Sequence, residues 1–487
     1  MKISKKFKLD KTQAELDFVD IDTNKDKGLY LDPFFIATRD NHLCIEATKT
    51  IKSFFGKIIE LIRDDKFDEA RSLFSHLDEP NETCLGVSRK KPQGKGVSGD
   101  TAKKIFQNIV NSRAVKTGLV DDLEDTAIFV DDIGPDRVSD MTTNILRKLL
   151  LKYTKNQCEL LDIPLQGNKS SGYFWEISTN TWNIEHTSRL IIDEKPILLV
   201  PKIFVSFHKN FSAQKYLQHD ALNFLQNDHL NRDSSLVRIR TLKGGKIKKE
   251  PPTKTKLREV EVNIFDSEKE FLRDFTLKHK DIFHDFKEKR TKSATPVSNE
   301  DIDTDMNEKE ITSYLISKIK ELPTGGIDAQ KYHKLMYGVL EFVFFPNLTN
   351  PVKEKEINEG RKRVDIMMDN SAQKGFFYWI HNTVKIPAPY IYIECKNYKD
   401  DPQNPEYDQI SGRLSVNRGN CGLLIFRKTE DRSKLINKSI DFYKDKKELI
   451  IPIYDDVVID LLNKIFEGKR EKIDEYLFNS AREIIPS

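Results

Sequence analysis

The chain has few cysteines and no long apolar segment, and each shortage excludes a class of protein. Its five cysteines are scattered along 487 residues without a Cys-x-x-Cys pair or a Cys/His group at zinc spacing. We therefore expect reduced thiols and a cytoplasmic protein. No apolar run approaches the roughly 18–20 residues of a membrane-spanning helix, so we expect no membrane partner. The basic start MKISKKFKLDKTQAELDF has no apolar core and does not predict a secretory signal.

The chain also lacks a strong net charge. It has 80 lysines and arginines against 77 aspartates and glutamates, which leaves a formal charge of +3 at pH 7. A basic field over the whole molecule is excluded, so any nucleic-acid surface must be a local patch. With 32% charged and 38% hydrophobic residues, the composition is typical of a soluble globular protein. The length favours two or three domains.

Residues 1–240 predict an α+β domain for recognition or assembly. Apolar residues recur at helical spacing in Ile45–Leu77, whereas residues 172–210 are rich in β-branched and aromatic side chains. The acidic and basic residues at 193–195 are expected to form a turn between two strands. A helix is expected at Ala213–Gln226.

Residues 241–310 predict a connecting region. The basic run Lys243–Arg258 contains two glycines and two prolines and indicates a linker or long loop. The alternative is that this run binds a nucleic-acid backbone. Ser267–Arg290 predicts an amphipathic helix or helical pair. Lys292–Glu308 has no periodicity, which predicts a flexible connection.

Residues 311–487 alternate between helical and strand patterns in the order αβββαβαβ. The pattern predicts an α/β domain, with a mixed central sheet flanked by helices, joined to the larger α+β N-terminal domain. The expected strands are Lys353–Asn358, Arg363–Asp369, Tyr390–Lys396, Cys421–Lys428 and Glu448–Tyr454. The expected helices between and before them are Ala329–Phe345, Glu406–Asn417 and Ser433–Lys444.

Charged residues interrupt three of these apolar elements. Glu394 and Lys396 lie two positions apart in YIYIECK and so leave the same face of a strand. Asp365 lies in the strand RVDIMM, and Glu341 lies in the helical run GVLEFVFF. Such carboxylates can build a hard-oxygen site for Mg²⁺ or Mn²⁺, where a lysine orients water and stabilises charge on a phosphate. The alternative is a surface ion pair of Glu394 with Lys396, with Asp365 capping a turn.

This set of residues resembles a known family. Asp365 followed by Glu394, Cys395 and Lys396 is similar to the D-x(n)-(D/E)-x-K signature of the PD-(D/E)XK, or restriction-endonuclease-like, nucleases. The resemblance covers roughly residues 325–460 and is closest to the Mrr-like restriction endonuclease branch. That branch has a G-R-x-D strand, an E-x-K strand and a glutamine-bearing helix in this order, and the chain has GRKRVD and Gln409 in the matching places. Valine replaces the proline that often precedes the first acid.

The resemblance implies a magnesium or manganese cofactor and a role for each matching residue. Lys396 is the implied catalytic lysine, and Gln409 is a supporting polar residue of the catalytic set. The implied metal ligands are Asp365, Glu394, the backbone carbonyl of Cys395 and, as an outer or second-metal ligand, Glu341.

Basic residues near the motif are candidates for binding the phosphates of a nucleic acid. Solvated surface charge is the alternative for any one of them. The candidates are Arg361, Lys362, Arg363, Lys399, Arg413 and Arg418.

These features together predict a metal-dependent endonuclease that hydrolyses DNA, with RNA as the alternative substrate. The chain has no helicase or methyltransferase motif, and by analogy we expect a bacterial anti-phage defence effector or a restriction-type nuclease. One alternative is a catalytically silent nucleic-acid-binding module. The other is a sensor or assembly protein whose nuclease acts only after a phage-derived or nucleotide trigger binds the N-terminal domain. We expect a homo-oligomer.

Overall fold

The molecule is a mixed α/β structure with one five-stranded sheet and several smaller sheets of two or three strands within its described residues. The computed structural model describes residues 1–77, 79–86, 105–110, 112–207, 211–242, 245–353 and 366–485. Among them, no helix combines the length and the apolar character that crossing a membrane requires.

The N-terminal part is built mainly from helices. The main helices here are α1 (His42–Arg63), α2 (Phe67–Leu73), α3 (Pro135–Ile145) and α4 (Arg147–Leu160). Helix α1 begins where the side chain of Asn41 accepts a hydrogen bond from the backbone N–H of Cys44. Its buried residues recur at intervals of three and four, so one apolar face packs into the core.

Short antiparallel strands accompany these helices. They are β1 (Tyr30–Leu31), β2 (Gln166–Ser170), β3 (Phe174–Glu176), β4 (Thr181–Asn183), β5 (His186–Ile192), β6 (Lys195–Ile197) and β7 (Val205–Ser206). Strands β5 and β6 form a hairpin, and Asp193 and Glu194 between them both have positive φ angles. The predicted turn at 193–195 is therefore confirmed.

The middle of the chain consists of helices and a hairpin. The helix predicted at Ala213–Gln226 is present and continues through a π-helical turn into α5 (Leu222–Asn231). Two strands follow, β8 (Arg238–Thr241) and β9 (Ile247–Glu250), so residues 247–250 of the basic run form a strand rather than a loop.

Ser267–Arg290 forms the predicted helical pair, α6 (Glu268–Lys278) and α7 (Lys280–Ser293). The segment expected to be a flexible connection contains a short helix, Asn299–Ile302, both ends of which are buried. The amide of Asn299 accepts a hydrogen bond from a buried lysine, which explains why this segment follows a defined path without helical periodicity.

The C-terminal part contains the predicted mixed sheet. Its first helices are α8 (Glu308–Glu321) and α9 (Ala329–Phe344). The later elements are β10 (Leu348–Val352), β11 (Ile366–Asn370), β12 (Tyr390–Lys396), α10 (Asn404–Ser411), β13 (Cys421–Phe426), α11 (Arg432–Lys446), β14 (Leu449–Tyr454), α12 (Asp455–Phe466) and α13 (Asp474–Ile484). The strands lie side by side in chain order, with antiparallel pairing from β10 to β12 and parallel pairing from β12 to β14. The predicted order of elements is confirmed. The strand predicted at Lys353–Asn358 lies outside the described residues except for Lys353, and the first strand of the sheet is Leu348–Val352.

Helix α10 packs unusually closely on this sheet. A Cβ atom on Gly422 of β13 would lie 2.6 Å from Cδ1 of Ile410. A larger residue at position 422 would force the Ile410 side chain to shift. Tyr392, Tyr407, Ile410, Leu424 and Phe426 belong to the buried apolar cluster between helix and sheet. This close packing holds α10 beside the end of β12.

The N-terminal and C-terminal parts share one continuous apolar core, which includes residues from Ile3 to Ile484. Hydrogen bonds cross between them as well. The side chain of Gln157 donates to the carbonyl of Pro351 at 3.0 Å, and the backbone N–H of Leu43 donates to Asp369 at 3.3 Å. The two parts therefore pack as one body, and the domain boundaries near residues 240 and 310 stay predictions.

Candidate active site

The end of strand β12 brings three of the predicted site residues together. The ammonium of Lys396 donates to Oε1 of Glu394 at 2.6 Å and to Oε1 of Gln409 on helix α10 at 2.9 Å. The Glu394 side chain is 1% exposed, and that of Lys396 is 13% exposed. The arrangement is a buried carboxylate and an amide that hold one ammonium group close to the surface.

The burial of Glu394 decides between the two interpretations of this pair. Strand β12 is hydrogen-bonded on both sides, and Glu394 and Lys396 are paired with Leu424 and Phe426 of β13. An ordinary surface ion pair leaves both groups in water because burying charge is costly. The surface-pair alternative is therefore wrong for Glu394.

Four of the predicted site residues lie outside the described part of the chain. They are Arg361, Lys362, Arg363 and Asp365. The first described residue of β11 is Ile366, which is paired with Ile393, the residue before Glu394.

The other predicted phosphate-binding residues differ in exposure. Lys399 and Arg418 are exposed. Arg413 follows helix α10 and is only 2% exposed. Arg413 therefore forms part of the packed interior, which the basic pattern of the sequence did not predict.

Glu341 makes its ion pair with the N-terminal part of the molecule. Its carboxylate lies 3.0 Å from the ammonium of Lys202, and both side chains are 0% exposed. Lys202 also donates to the side chain of Asn299 at 3.0 Å and lies 3.9 Å from the centre of the Phe345 ring. The charge of Glu341 is thus compensated by a lysine rather than by the groups at the end of β12.

A second buried carboxylate adjoins this pair. Asp17 accepts a hydrogen bond from the hydroxyl of Tyr153 at 2.6 Å and another from the backbone N–H of Asn350 at 3.0 Å. Burial raises the pKa of Asp17, and the positive charge of Lys202 opposes that rise. We call Asp17, Tyr153, Lys202, Glu341 and Asn350 the Lys202 cluster. It joins both parts of the chain through buried polar groups.

The sequence contained a signal for the missed partner of Glu341. Lys202 is the one charged residue in the apolar run ILLVPKIFV, just as Glu341 is the one charged residue in GVLEFVFF. Opposite charges in two buried apolar segments favour mutual pairing, because neither can be buried alone at low cost. The pattern makes Lys202 a candidate partner of Glu341, and the packing of the two segments decides the pairing.

Glu341 gives the protein a defined pH dependence of stability. Burial, partly offset by Lys202, raises the pKa of Glu341 from 4.5 to about 8. The folded state then binds more protons than the unfolded state between these values, so this group's contribution to stability falls as the pH rises. We expect the loss of stability between about pH 5.5 and about pH 8.5, measured by urea denaturation, to be smaller in Glu341→Gln than in the wild type. Identical pH profiles would contradict this.

The described residues do not by themselves make a metal centre. Within them, no group of three or more His, Cys, Asp and Glu side chains could hold a metal ion. The predicted ligand set includes Asp365, which is not among these residues. Glu394 and the carbonyl of Cys395 offer hard oxygen donors of the kind that Mg²⁺ and Mn²⁺ prefer.

Comparison with known proteins relates only the N-terminal part to a family. Residues 8–212 match the model of a domain of unknown function, DUF8370. No curated protein and no solved structure matches the chain. The matched segment includes Asp17, Tyr153 and Lys202 of the Lys202 cluster, and it ends before the mixed sheet that carries Glu394 and Lys396.

Proposed function

We propose that the C-terminal part of the chain is a metal-dependent nuclease of the PD-(D/E)XK type that hydrolyses phosphodiester bonds of DNA. The main support is the contact of Lys396 with both Glu394 and Gln409 at the end of β12. These residues were selected from the sequence for their chemistry, and they lie on two separate elements. A mixed five-stranded sheet with β12 at its centre agrees with this proposal.

The metal would be held by Glu394, Asp365 and the backbone carbonyl of Cys395. Asp365 is covalently joined to Ile366, whose partner in the sheet is Ile393, the residue before Glu394. Asp365 is proposed as the second carboxylate of the ligand set because the resemblance assigns it that role. When bound, Mg²⁺ or Mn²⁺ supplies positive charge against the phosphate and lowers the pKa of a bound water.

Lys396 would make the main contribution of a protein side chain to catalysis. Its ammonium has three donors, of which one is directed to Glu394 and one to Gln409. The ammonium would orient the attacking water or neutralise charge that develops on the phosphate. Gln409 limits the rotation of the ammonium, and Glu394 balances its charge. Exposed Lys399 and Arg418 would contact flanking phosphates.

A nuclease that acts only after a trigger binds is the second candidate, and the Lys202 cluster favours it. The cluster connects the segment similar to DUF8370 with helix α9 and strand β10 of the C-terminal part. A phage-derived or nucleotide trigger on the N-terminal part would thus have a direct physical route to the sheet. We propose on this basis, and by analogy, a cytoplasmic anti-phage defence effector that assembles as a homo-oligomer.

The test is a cleavage assay on the purified full-length chain. Plasmid, linear duplex DNA, single-stranded DNA and RNA are each incubated with Mg²⁺ or Mn²⁺ and separated on gels. We expect cleavage of DNA that stops when EDTA removes the metal. A parallel series adds nucleotides or extract from phage-infected cells, which the triggered form requires. Cleavage that persists in EDTA, or no cleavage in either series, would contradict the proposal.

A further inference from the structure

The hairpin of β8 and β9 is an exposed, basic ribbon. All four residues of β8 are exposed, and only Glu250 of β9 is half-buried. Five described residues of the hairpin carry positive charge, Arg238, Arg240, Lys246, Lys248 and Lys249, against the single carboxylate of Glu250. Two isoleucines, Ile239 and Ile247, are 71% and 66% exposed.

The strand register divides these side chains between two faces. Arg238 is opposite Glu250, and Arg240 is opposite Lys248, so these four share one face. The three cations of this face all lie within 3.4–3.8 Å of the Glu250 carboxylate, which can balance only one of them. An excess of positive charge therefore remains on this face.

The other face combines apolar and basic groups. Ile239 is opposite Lys249, and Thr241 is opposite Ile247. The ammonium of Lys249 pairs with the exposed Asp233 at the end of helix α5. Cations thus occur on both faces of the ribbon, and both isoleucines lie on this second face beside Lys249.

This composition works against the stability of the hairpin alone. Like charges directly opposite each other on neighbouring strands, as in Arg240 and Lys248, are destabilising. Exposed isoleucines gain nothing from burial, and a two-stranded hairpin is at best marginally stable in water. A polyanion that contacts both faces would remove the repulsion and cover the isoleucines.

We propose that the β8–β9 hairpin binds duplex DNA as a two-stranded ribbon inserted into a groove. Such a ribbon fits the major groove of B-DNA, which is about 12 Å wide. The walls of a groove carry phosphates on both sides, which matches cations on both faces. The major groove of duplex RNA is too narrow for such a ribbon, and a flat anionic membrane would contact one face only. This inference deepens the proposed nuclease function by assigning a second contact surface for its substrate.

Binding without cleavage gives the test. The full-length Lys396→Ala protein is titrated in EDTA against fluorescent duplex DNA at several salt concentrations, and anisotropy reports the Kd. We expect the further pair Arg240→Gln/Lys248→Gln to weaken binding about tenfold at about 0.1 M salt and to reduce the slope of log K against log salt by roughly 2, since each phosphate contact contributes about 0.9. The thermal unfolding temperature should not fall, because both side chains are exposed and the repulsion between them is removed.

The matched control removes the same charge elsewhere. Lys278→Gln/Lys292→Gln changes two exposed lysines on α6 and α7, each paired with a carboxylate one turn earlier. We expect the DNA affinity of this control variant to remain within about twofold of that of the Lys396→Ala protein without further substitutions. An equal loss in both double variants, or no loss in the hairpin variant, would overturn the inference.

Two other ligands distinguish the partner class. Duplex RNA of the same length and vesicles of phosphatidylserine and phosphatidylcholine are titrated in parallel. Tighter hairpin-dependent binding to either than to duplex DNA would overturn the inference. The nuclease proposal can fail independently of this inference. If the hairpin is needed for DNA binding but the wild type shows no metal-dependent cleavage, the nuclease proposal is rejected and DNA binding by the hairpin is retained.

Discussion

Replacing Lys396 by alanine is expected to reduce metal-dependent DNA cleavage by about 10²–10³-fold, the usual cost of removing one preorganised charge from a reacting centre. The ammonium is held between Glu394 and Gln409, so the substitution removes the positive charge from this site. The measurement is the initial rate of plasmid nicking in Mg²⁺. DNA affinity in EDTA should change little, because the loss is in the chemical step.

Two variants calibrate this result. Gln409→Ala leaves the lysine and its charge in place and should cost about tenfold, since only the orientation of the ammonium is affected. Lys444→Ala removes an exposed lysine on α11 and should leave the rate unchanged. Full activity in Lys396→Ala would reject the assignment of this site, as would equal losses in Lys396→Ala and Lys444→Ala.

Replacing Lys202 by methionine is expected to lower the free energy of unfolding by about 3–5 kcal/mol, because it leaves Glu341 buried without its cation. The loss should be larger at about pH 8.5 than at about pH 6, since Glu341 can take up a proton at the lower pH. Guanidinium denaturation of the full-length protein measures both values.

The double variant Lys202→Met/Glu341→Leu provides the decisive comparison. Replacing a buried ion pair by apolar residues of similar volume is often neutral or stabilising, so most of the loss should be recovered. Lys195→Met, an exposed lysine at the start of β6, should change stability by about 0.5 kcal/mol or less. If Glu341 were instead a metal ligand, Glu341→Gln would abolish cleavage, whereas Lys202→Met would leave stability unchanged.

The central strand and the lysine site were predictable because local sequence determines them. Strand β12 was expected at Tyr390–Lys396 and has these bounds. Its β-branched and aromatic residues favour a buried strand, and the spacing of Glu394 and Lys396 fixes their common face. Gln409 could be placed on the next helix by its helical context alone.

The parts that were missed depend on contacts between distant segments. Local sequence suggested a metal-binding role for Glu341, but its pairing with Lys202 depends on how the N-terminal part packs on helix α9. Arginine is usually exposed, yet Arg413 in the turn after α10 is buried. The glycines and prolines near the β8–β9 hairpin indicated a loop, because strand pairing in so polar a segment has no apolar pattern to predict it.

The Lys202 cluster also restricts how this protein can change by recombination. A C-terminal part joined to an unrelated N-terminal partner would carry a buried glutamate without its lysine and a strand whose Asn350 N–H has lost the Asp17 carboxylate. An N-terminal part transferred alone would carry a buried Lys202 without Glu341 and an Asp17 carboxylate without the Asn350 N–H. Exchange of either part alone is therefore expected to cost stability, and sequence changes at Lys202 and Glu341 should arise as matched pairs.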